Sequence, residues 1–399
     1  MLYNEKYPQG RPSFAPRPPT GNLKMVGGVI MLMSLPMARH LGGHHHGHDH
    51  HHHHGGAGEG PGEYAPPLVE LARGGLTESL HRGAILAVGP DGSKVHGLGH
   101  PAMPTFLRSA AKPLQALPVI QSGAARALGL EPAEIACMCG SLNGEDFQVE
   151  AVRSILAKAG LDESYLRCGV HRPSHRPTAR AMHQRGEKPR EVHNNCAGKH
   201  AAMLALCAHH GWSTDDYDQP AHPVQQLILQ TIARLCAYPA EQIGLGVDGC
   251  GVPVHRLPLF ALAGAYARLA APDQSGLDSA TAEAIEELMD ACLKHPEMIA
   301  GTDRLCTRLM QAAPGRFLAK TGSEGVYAIA IPEKKLGVAL QIEDGAMRAL
   351  GPAVCEILHQ LGVLEHEALE GPLADLYPVR LKNHRGEEVA VLRPVFHLA

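Results

Sequence analysis

The hydrophobic and polar positions along the chain change their period twice. Between residues 68 and 99, apolar residues form short runs separated by Gly and Pro turns, a pattern typical of β-strands. From residue 109 onward, apolar positions recur every three to four residues, which predicts helices. The strand pattern returns over Val326–Ile331 and Leu336–Ile342, and a last helix is predicted over residues 346–361.

The middle of the chain is mostly helical by the same criterion. Gly, Pro and Asn positions separate its predicted helices, which cover residues 146–159, 198–210, 224–237 and 280–293. Strands at both ends with helices between them predict an α/β chain of the α+β type. We expect one antiparallel sheet built from both chain ends, with a helical subdomain of about residues 124–310 beside it.

The first 62 residues differ from the rest of the chain. They are rich in Pro and Gly, and residues 44–54 hold nine histidines in eleven positions, which bind borderline metals in any conformation. We interpret residues 1–62 as a disordered extension or a purification tag rather than a metal store, although a misassigned start codon would give a similar stretch. One folded domain is therefore predicted over residues 63–399.

Composition and charge exclude several classes of protein. Hydrophobic residues make up 44% and charged residues 19% of the chain, which is ordinary for a globular domain. The formal net charge is −4 and Lys and Arg form no long run, so the basic footprint of a nucleic-acid-binding protein is missing. No stretch reaches the roughly 18 apolar residues that span a bilayer. We expect a cytoplasmic protein with neither a nucleic-acid nor a membrane partner.

An S-x-x-K element lies where the first strand region gives way to helix. Its spacing of three places the Ser109 hydroxyl and the Lys112 amine on one helix face, and a partly buried lysine can accept a serine proton. Lys320, Thr321 and Gly322 form a K-T-G sequence directly before the C-terminal strand pair. This order is found in the serine acylases that recognise penicillin. An ordinary helix start followed by a chance turn would give the same residues.

A second serine, Ser141, lies in the turn-rich segment 139–145. A serine near Gly and Asn usually caps a helix or stabilises a turn. Alternatively, Ser141 and Lys320 form a second hydroxyl–amine pair across a cleft.

The ten cysteines are too sparse for a disulfide scaffold and fit reduced thiols that pack as small hydrophobic residues. Cys196 and Lys199 share a face at the start of a predicted helix, and a loop of small residues carries Cys250. Thiolates favour zinc, but lysine is an uncommon ligand because the metal must displace its proton. From the residues alone, buried structural cysteines are favoured over a zinc site.

Six segments together resemble the asparaginase II family, which comprises the class 3, rhizobial-type L-asparaginases. The resemblance extends from about residue 65 to about residue 365 and implies hydrolysis of L-asparagine to L-aspartate and ammonia. It also implies a fold similar to that of glutaminases and serine β-lactamases. The segments are HRG (81–83), RSAAKPLQ (108–115), CGSLNGE (139–145), HNNCAGKHAAML (193–204), GVDGCGVP (246–253) and KTGSEGVYAIAI (320–331).

The resemblance also implies roles for single residues. Ser109 and Lys112 match the nucleophile pair of the family, whereas Ser141 and Lys320 match its second Ser–Lys pair. The family's zinc ligands correspond to Cys196, Lys199 and Cys250. The resemblance therefore favours a zinc site, whereas the residues alone favoured buried structural cysteines. Asp248 matches a neighbouring residue that organises the zinc-bound water or the substrate.

The expected mechanism combines these roles. Ser109, with Lys112 as general base, attacks the side-chain amide carbon, and a backbone N–H near Thr321 or Gly322 holds the oxyanion. Lys320 and Ser141 then pass a proton to the departing ammonia, and water hydrolyses the aspartyl ester. Zinc (Zn²⁺) would orient the substrate without necessarily being essential for cleavage.

Three other functions compete with this interpretation. They are a glutaminase, a penicillin-binding or β-lactamase-like serine acylase, and a metal-binding protein without catalytic activity. Asparagine and glutamine differ by one methylene, which is worth only about 1–3 kcal/mol in a pocket. For the quaternary structure we expect a homodimer, the commonest symmetric assembly.

Overall fold

The computed structural model describes residues 64–399, so the predicted extension over residues 1–62 lies outside the described residues. The strands are β1 Pro67–Arg73, β2 Leu76–Val88, β3 Lys94–Leu98, β4 Pro104–Phe106, β5 Gly244–Val247, β6 Pro253–Pro258, β7 Leu318–Thr321, β8 Val326–Ile331, β9 Leu336–Ile342, β10 Val379–Lys382 and β11 Glu388–Pro394.

Eight of these strands form one antiparallel sheet that joins the two ends of the described chain. Its order is β10-β11-β1-β2-β9-β8-β7, with β3 added beside β2. The central pairing is between β2 and β9, where Ile85 lies opposite Leu340. The predicted sheet built from both chain ends is therefore present, and β8 and β9 have the predicted bounds.

The helices fill the middle of the chain. They are α1 Lys112–Gln121, α2 Ala124–Leu128, α3 Pro132–Met138, α4 Asp146–Lys158, α5 Arg176–Gln184, α6 Ala197–His210, α7 Pro223–Cys236, α8 Leu259–Ala270, α9 Ser279–Lys294, α10 Pro296–Ala300, α11 Leu305–Ala312, α12 Leu350–Gln360 and α13 His366–Glu370. The four helices predicted in the middle of the chain, observed as α4, α6, α7 and α9, agree with the structure to within two residues. Together with the sheet they give the predicted mixture of helices and antiparallel strands.

Three predictions about individual elements were wrong. Among the short runs expected between residues 68 and 99, Leu76–Val88 instead forms one long continuous strand, β2, and the last predicted helix starts only at Leu350, after a 3₁₀ turn. The helical region is interrupted by β5 and β6, which pair with β4 in a separate three-stranded sheet. The hairpin of β10 and β11 was not predicted either, because β10 is short with no buried residue and β11 has only two buried residues, Ala390 and Leu392.

The sheet is covered closely enough to bury one of its strands on both faces. All six residues of β8 are buried, which explains its uninterrupted apolar sequence. On β9, a Cβ at Gly337 would overlap the backbone of α8 at Ala263 and Ala267, so this helix lies directly on the strand. Within residues 64–399, every helix is too short or too polar to cross a bilayer.

The edge strand β7 meets the start of the helical region. A 3₁₀ turn, Arg108–Ala111, leads directly into α1. At the end of β7, a Cβ on Gly322 would lie 3.0 Å from the carbonyl oxygen of Leu107. The S-x-x-K element and the K-T-G sequence, which are more than 200 residues apart along the chain, are therefore neighbours in the fold.

Candidate active site

Lys112 is fully buried at the first position of α1. Its ammonium group donates three hydrogen bonds, to the carbonyl oxygens of Gly140 (2.8 Å) and Asn195 (2.9 Å) and to the hydroxyl of Ser141 (3.2 Å). Burial lowers the pKa of Lys112 below its ordinary value. With three acceptors for three protons, this arrangement suits the charged ammonium form.

Ser109 is half-buried and lies one turn before Lys112. Among residues 64–399 its hydroxyl has no hydrogen-bond partner, and the amine of Lys112 is directed to Ser141 instead. The residue before it, Arg108, has a φ of 47°, a left-handed conformation that non-glycine residues rarely adopt and that concentrates at functional sites. The predicted direct contact between Ser109 and Lys112 is thus missing from this structure, and the nucleophilic role of Ser109 stays a prediction.

Ser141 is the residue on which both lysines converge. Lys320, fully buried on β7, donates a 2.8 Å hydrogen bond to the Ser141 hydroxyl and a 3.1 Å bond to the carbonyl of Thr321. Burial lowers the pKa of Lys320 to about 7, and the positive charge of Lys112 contributes to the decrease. One hydroxyl therefore lies between two amines that burial makes easier to deprotonate.

The segment 139–145 holds Ser141 rigidly in this position. The Ser141 N–H donates to the carbonyl of Ile299 (2.8 Å), and the Leu142 N–H donates to that of Asn195 (3.0 Å). A Cβ at Gly140 would overlap the carbonyl of Met298, so the close approach of the two backbones requires glycine here. The serine is consequently fixed from both sides by the helical region.

The backbone N–H groups that were expected to hold an oxyanion are already engaged. The Thr321 N–H donates to Sγ of Cys306 (3.2 Å), and the Gly322 N–H donates to the carbonyl of Val326 (2.8 Å). The first bond fixes the thiol beside β7, and the second closes the turn between β7 and β8. Neither N–H is free in this structure, and the expectation that one of them binds an oxyanion stays a prediction.

A cavity of about 140 Å³ lies beside the Ser141–Lys320 pair. Two of its lining residues, Arg304 and Cys306, were missed by sequence reasoning because the segment 301–306 resembles an ordinary turn before a helix. The complete lining is Ser141, Ala300, Arg304, Leu305, Cys306, Lys320, Thr321, Met347 and Leu350.

A second cluster combines two thiols and a carboxylate. Cys196 precedes the first turn of α6, and Asp248 and Cys250 lie in the loop between β5 and β6. One ligand atom from each of these three residues lies within 4.8 Å of the others. Lys199, on the first turn of α6, places its amine 3.4 Å from Oδ2 of Asp248. Neither the spacing nor the composition indicated that Asp248 would belong to the donor set.

The surroundings favour the anionic form of two of the three donors, Cys196 and Asp248, whereas the hydrogen bond with Cys196 and burial raise the pKa of the Cys250 thiol. A hydrogen bond with the Cys250 thiol and the charges of Lys112 and Lys199 lower the pKa of Cys196 well below its ordinary value. Burial opposes ionisation of Asp248, but neighbouring cations hold its pKa below the usual range. Two sulfur ligands and one carboxylate can hold a metal ion, and this donor set suits zinc.

Arg108 connects the two parts of the site. Its Nε lies 3.2 Å from Oδ1 of Asp248, and the next residue along the chain is Ser109. The thiol–carboxylate cluster and the predicted nucleophile are therefore linked through one side chain.

The sequence also matches the model of a known protein family. The model of the family described as L-asparaginase II matches residues 69–394, a range that contains the serines, the lysines and the thiol–carboxylate cluster. No curated protein matches the sequence significantly.

Several solved structures are similar at low sequence identity. A β-lactamase from Mycobacterium bovis is 14% identical, with a TM-score of 0.36 over 71% of this chain and 95% of that chain. Mglu in its native form is also 14% identical, with a TM-score of 0.38 over 77% and 71% of the two chains. A LovD6 mutant of simvastatin synthase from Aspergillus terreus is 12% identical, with a TM-score of 0.33 over 65% and 86%.

Proposed function

Because this chain belongs to the L-asparaginase II family, we propose that it hydrolyses the side-chain amide of L-asparagine to L-aspartate and ammonia. The observation that best supports a serine mechanism is the convergence of Lys112 and Lys320 on the hydroxyl of Ser141. A serine hydroxyl is a weak nucleophile at neutral pH and needs both a base and a nearby positive charge.

The two lysines can divide these tasks. Lys112 donates to three acceptors, so its ammonium stabilises negative charge on a neighbouring oxygen. Burial brings the pKa of Lys320 to about 7, so a large fraction of its amine is neutral near physiological pH and can accept a proton. A base and a fixed cation then share one hydroxyl.

In the proposed reaction, Ser109 Oγ forms a bond to the amide carbon of the substrate. Its proton passes to the network of Lys112, Ser141 and Lys320, which returns a proton to the leaving nitrogen so that ammonia departs. Water then cleaves the aspartyl ester and restores the serine. Catalytic hydrogen bonds are often absent before substrate binds, and a rotation of the Ser109 side chain or a bridging water would connect its hydroxyl to the network.

Ser109 is preferred as the nucleophile for two reasons. Ser109 is half-buried and its hydroxyl has no hydrogen-bond partner among residues 64–399, whereas the buried hydroxyl of Ser141 already accepts hydrogen bonds from two lysines. The left-handed backbone of Arg108 directly before it has a conformational cost of the kind that concentrates at functional sites.

A zinc ion would be held by Cys196, Cys250 and Asp248, with Lys199 as a further donor. When bound, zinc would supply a Lewis-acidic positive charge. Arg108, through its contact with Asp248, orients the backbone that carries Ser109 towards this cluster.

Ammonia release from L-asparagine tests the function. We expect Ser109→Ala to lower kcat by about four orders of magnitude or more, with an unchanged melting temperature. Ser122→Ala, which alters a half-buried serine just after the last turn of α1, is the matched control and should keep full activity.

Three outcomes would contradict the proposal. Turnover of nitrocefin without ammonia release from asparagine would indicate a β-lactamase-like acylase, and faster turnover of glutamine would indicate a glutaminase. Full activity of Ser109→Ala combined with an inactive Ser141→Ala would transfer the nucleophilic role to Ser141.

A further inference from the structure

Arg304 lines the 140 Å³ cavity together with Ser141 and Lys320. The lining contains two basic side chains, Arg304 and Lys320, and no acidic one. Among residues 64–399, Arg304 forms no ion pair, and its one side-chain hydrogen bond runs from Nη1 to Oδ1 of Asn143 (3.0 Å). The cavity therefore has a positive charge that no carboxylate of the described residues neutralises.

A chain of buried polar groups fixes the position of Arg304. Asn143, which accepts the bond from Arg304, donates through Nδ2 to Oε2 of Glu145 (3.2 Å) and to the carbonyl of Thr302 (3.0 Å). The same Glu145 oxygen accepts the N–H of Thr302 (2.8 Å). Asn143 and Glu145 are buried, so these bonds are protected from water and hold the guanidinium in one orientation.

Two residues just before Arg304 have positive φ angles, and the first of them lies close to Asn143 and Glu145. Gly301 has a φ of 97°, and a Cβ there would lie 2.6 Å from Oε2 of Glu145 and 2.7 Å from Cβ of Asn143. Asp303, next to Arg304, also has a positive φ, of 61°. Asn143, the partner of Arg304, is two residues from Ser141 in the chain. The same short segment therefore positions both Arg304 and the serine of the serine–lysine pair.

We propose that Arg304 binds the carboxylate of the substrate, so that the cavity selects amides that also carry a free carboxylate group. A guanidinium with free N–H groups matches a carboxylate in geometry and charge, and it stays charged at every physiological pH. Asn143 acts as the positioning residue. This inference rests on the proposed function and assigns one determinant of its substrate class.

Two asparagine analogues separate recognition of the carboxylate from recognition of the rest of the substrate. Succinamate keeps the carboxylate but lacks the α-amino group, whereas 3-aminopropanamide keeps the amino group but lacks the carboxylate. Their inhibition constants are measured against asparagine hydrolysis in the wild type and in Arg304→Gln. We expect Arg304→Gln to raise the KM for asparagine and the inhibition constant of succinamate by about 10- to 100-fold. The inhibition constant of 3-aminopropanamide should stay unchanged.

Three further variants distinguish charge recognition from a structural role. Arg304→Lys keeps the charge without the planar fork and should raise the two constants less than Arg304→Gln does. Asn143→Ala should raise the KM for asparagine with a smaller change in kcat, because it leaves the guanidinium in place but mobile. Arg180→Gln removes one exposed arginine of α5 and should change none of the constants.

Equal increases for both analogues, or no increase for succinamate, would overturn the assignment. If the wild type releases no ammonia from asparagine, the proposed function fails instead. Calorimetric titration of succinamate into the wild type and Arg304→Gln then tests the carboxylate site by itself, and equal affinities would refute it.

Discussion

Lys320 and Ser141 are 179 residues apart in the sequence, and a 2.8 Å hydrogen bond joins the amine of the first to the hydroxyl of the second. The bond connects the edge strand β7 to the segment 139–145 of the helical region. Lys112, at the start of α1, approaches the same hydroxyl from a third element. The chemistry of this site therefore depends on the packing of the sheet edge against the helical region.

The first prediction concerns the dependence of activity on pH. Burial lowers the pKa of Lys320 to about 7, so its amine is protonated below this pH and cannot act as a base. We expect kcat/KM to rise with pH through a midpoint near 7. Lys320→Arg keeps a charge at every pH and should lower kcat by about 10²- to 10⁴-fold. Lys188→Arg, an exposed lysine, is the control. A flat profile between pH 6 and 8 would exclude Lys320 as the base.

The same shift predicts how stability depends on pH. The pKa of Lys320 is lower in the folded than in the unfolded chain, so between about pH 7 and pH 10.5 unfolding takes up a proton. This lysine's contribution to the free energy of unfolding is therefore least favourable below pH 7 and improves as the pH rises towards 10.5. Relative to the wild type, Lys320→Met should be more stable at pH 6 than at pH 9. Denaturant titrations at the two pH values measure this difference, and an equal difference at both would contradict the shift.

The third prediction separates the two serines. Ser141→Ala removes the hydroxyl that Lys112 and Lys320 share, while Ser109 stays in place. If Ser141 relays protons, this variant should lower kcat by about 10²- to 10⁴-fold with a nearly unchanged KM. Deacylation needs the same relay, so an aspartyl ester should accumulate on Ser109 and be visible by intact mass spectrometry. If the variant carries no ester and turns over normally, Ser141 has no part in the mechanism.

The sequence predicts the sheet and the main helices well because these depend on local periodicity. It also brings Ser109 and Lys112 onto one turn, since a spacing of three does so in any helix. It does not predict where the lysine amine points. The acceptors that orient Lys112 are the backbone carbonyls of Gly140 and Asn195, and the positions of such carbonyls follow only from tertiary packing. Arg304 was missed for the same reason, because its partner Asn143 is 161 residues away.

The fourth prediction tests the packing of the sheet against α8. A Cβ at Gly337 would overlap the backbone of Ala263 and Ala267, which cannot move without displacing the helix. Gly337→Ala should lower the free energy of unfolding by on the order of 3 kcal/mol. Gly351→Ala is a contrasting control, because its nearest neighbour lies 3.7 Å from the new Cβ and the residue is within α12. The control should be neutral or more stable by up to about 1 kcal/mol, and equal effects of the two variants would contradict the close packing.

The last prediction concerns metal content. The histidines of residues 44–54 would bind metal by themselves, so every sample should lack residues 1–62. With that deletion, we expect about one zinc per chain by plasma mass spectrometry, because two thiols and a carboxylate converge within 4.8 Å. Cys250→Ser should lower this content strongly, whereas Cys236→Ser, a buried thiol of α7, should leave it unchanged.

Two further measurements decide which donors complete the site and what the metal does. If Asp248 is a ligand, Asp248→Asn should weaken zinc binding by about 10- to 100-fold, whereas a ligand set of Cys196, Cys250 and Lys199 alone would leave the zinc content nearly intact. Because Arg108 contacts Asp248 beside Ser109, removal of the metal by a chelator should lower kcat/KM, and added zinc should restore it. Unchanged activity of the chelated protein would limit the cluster to a structural role, since the serine–lysine network would then work without the metal.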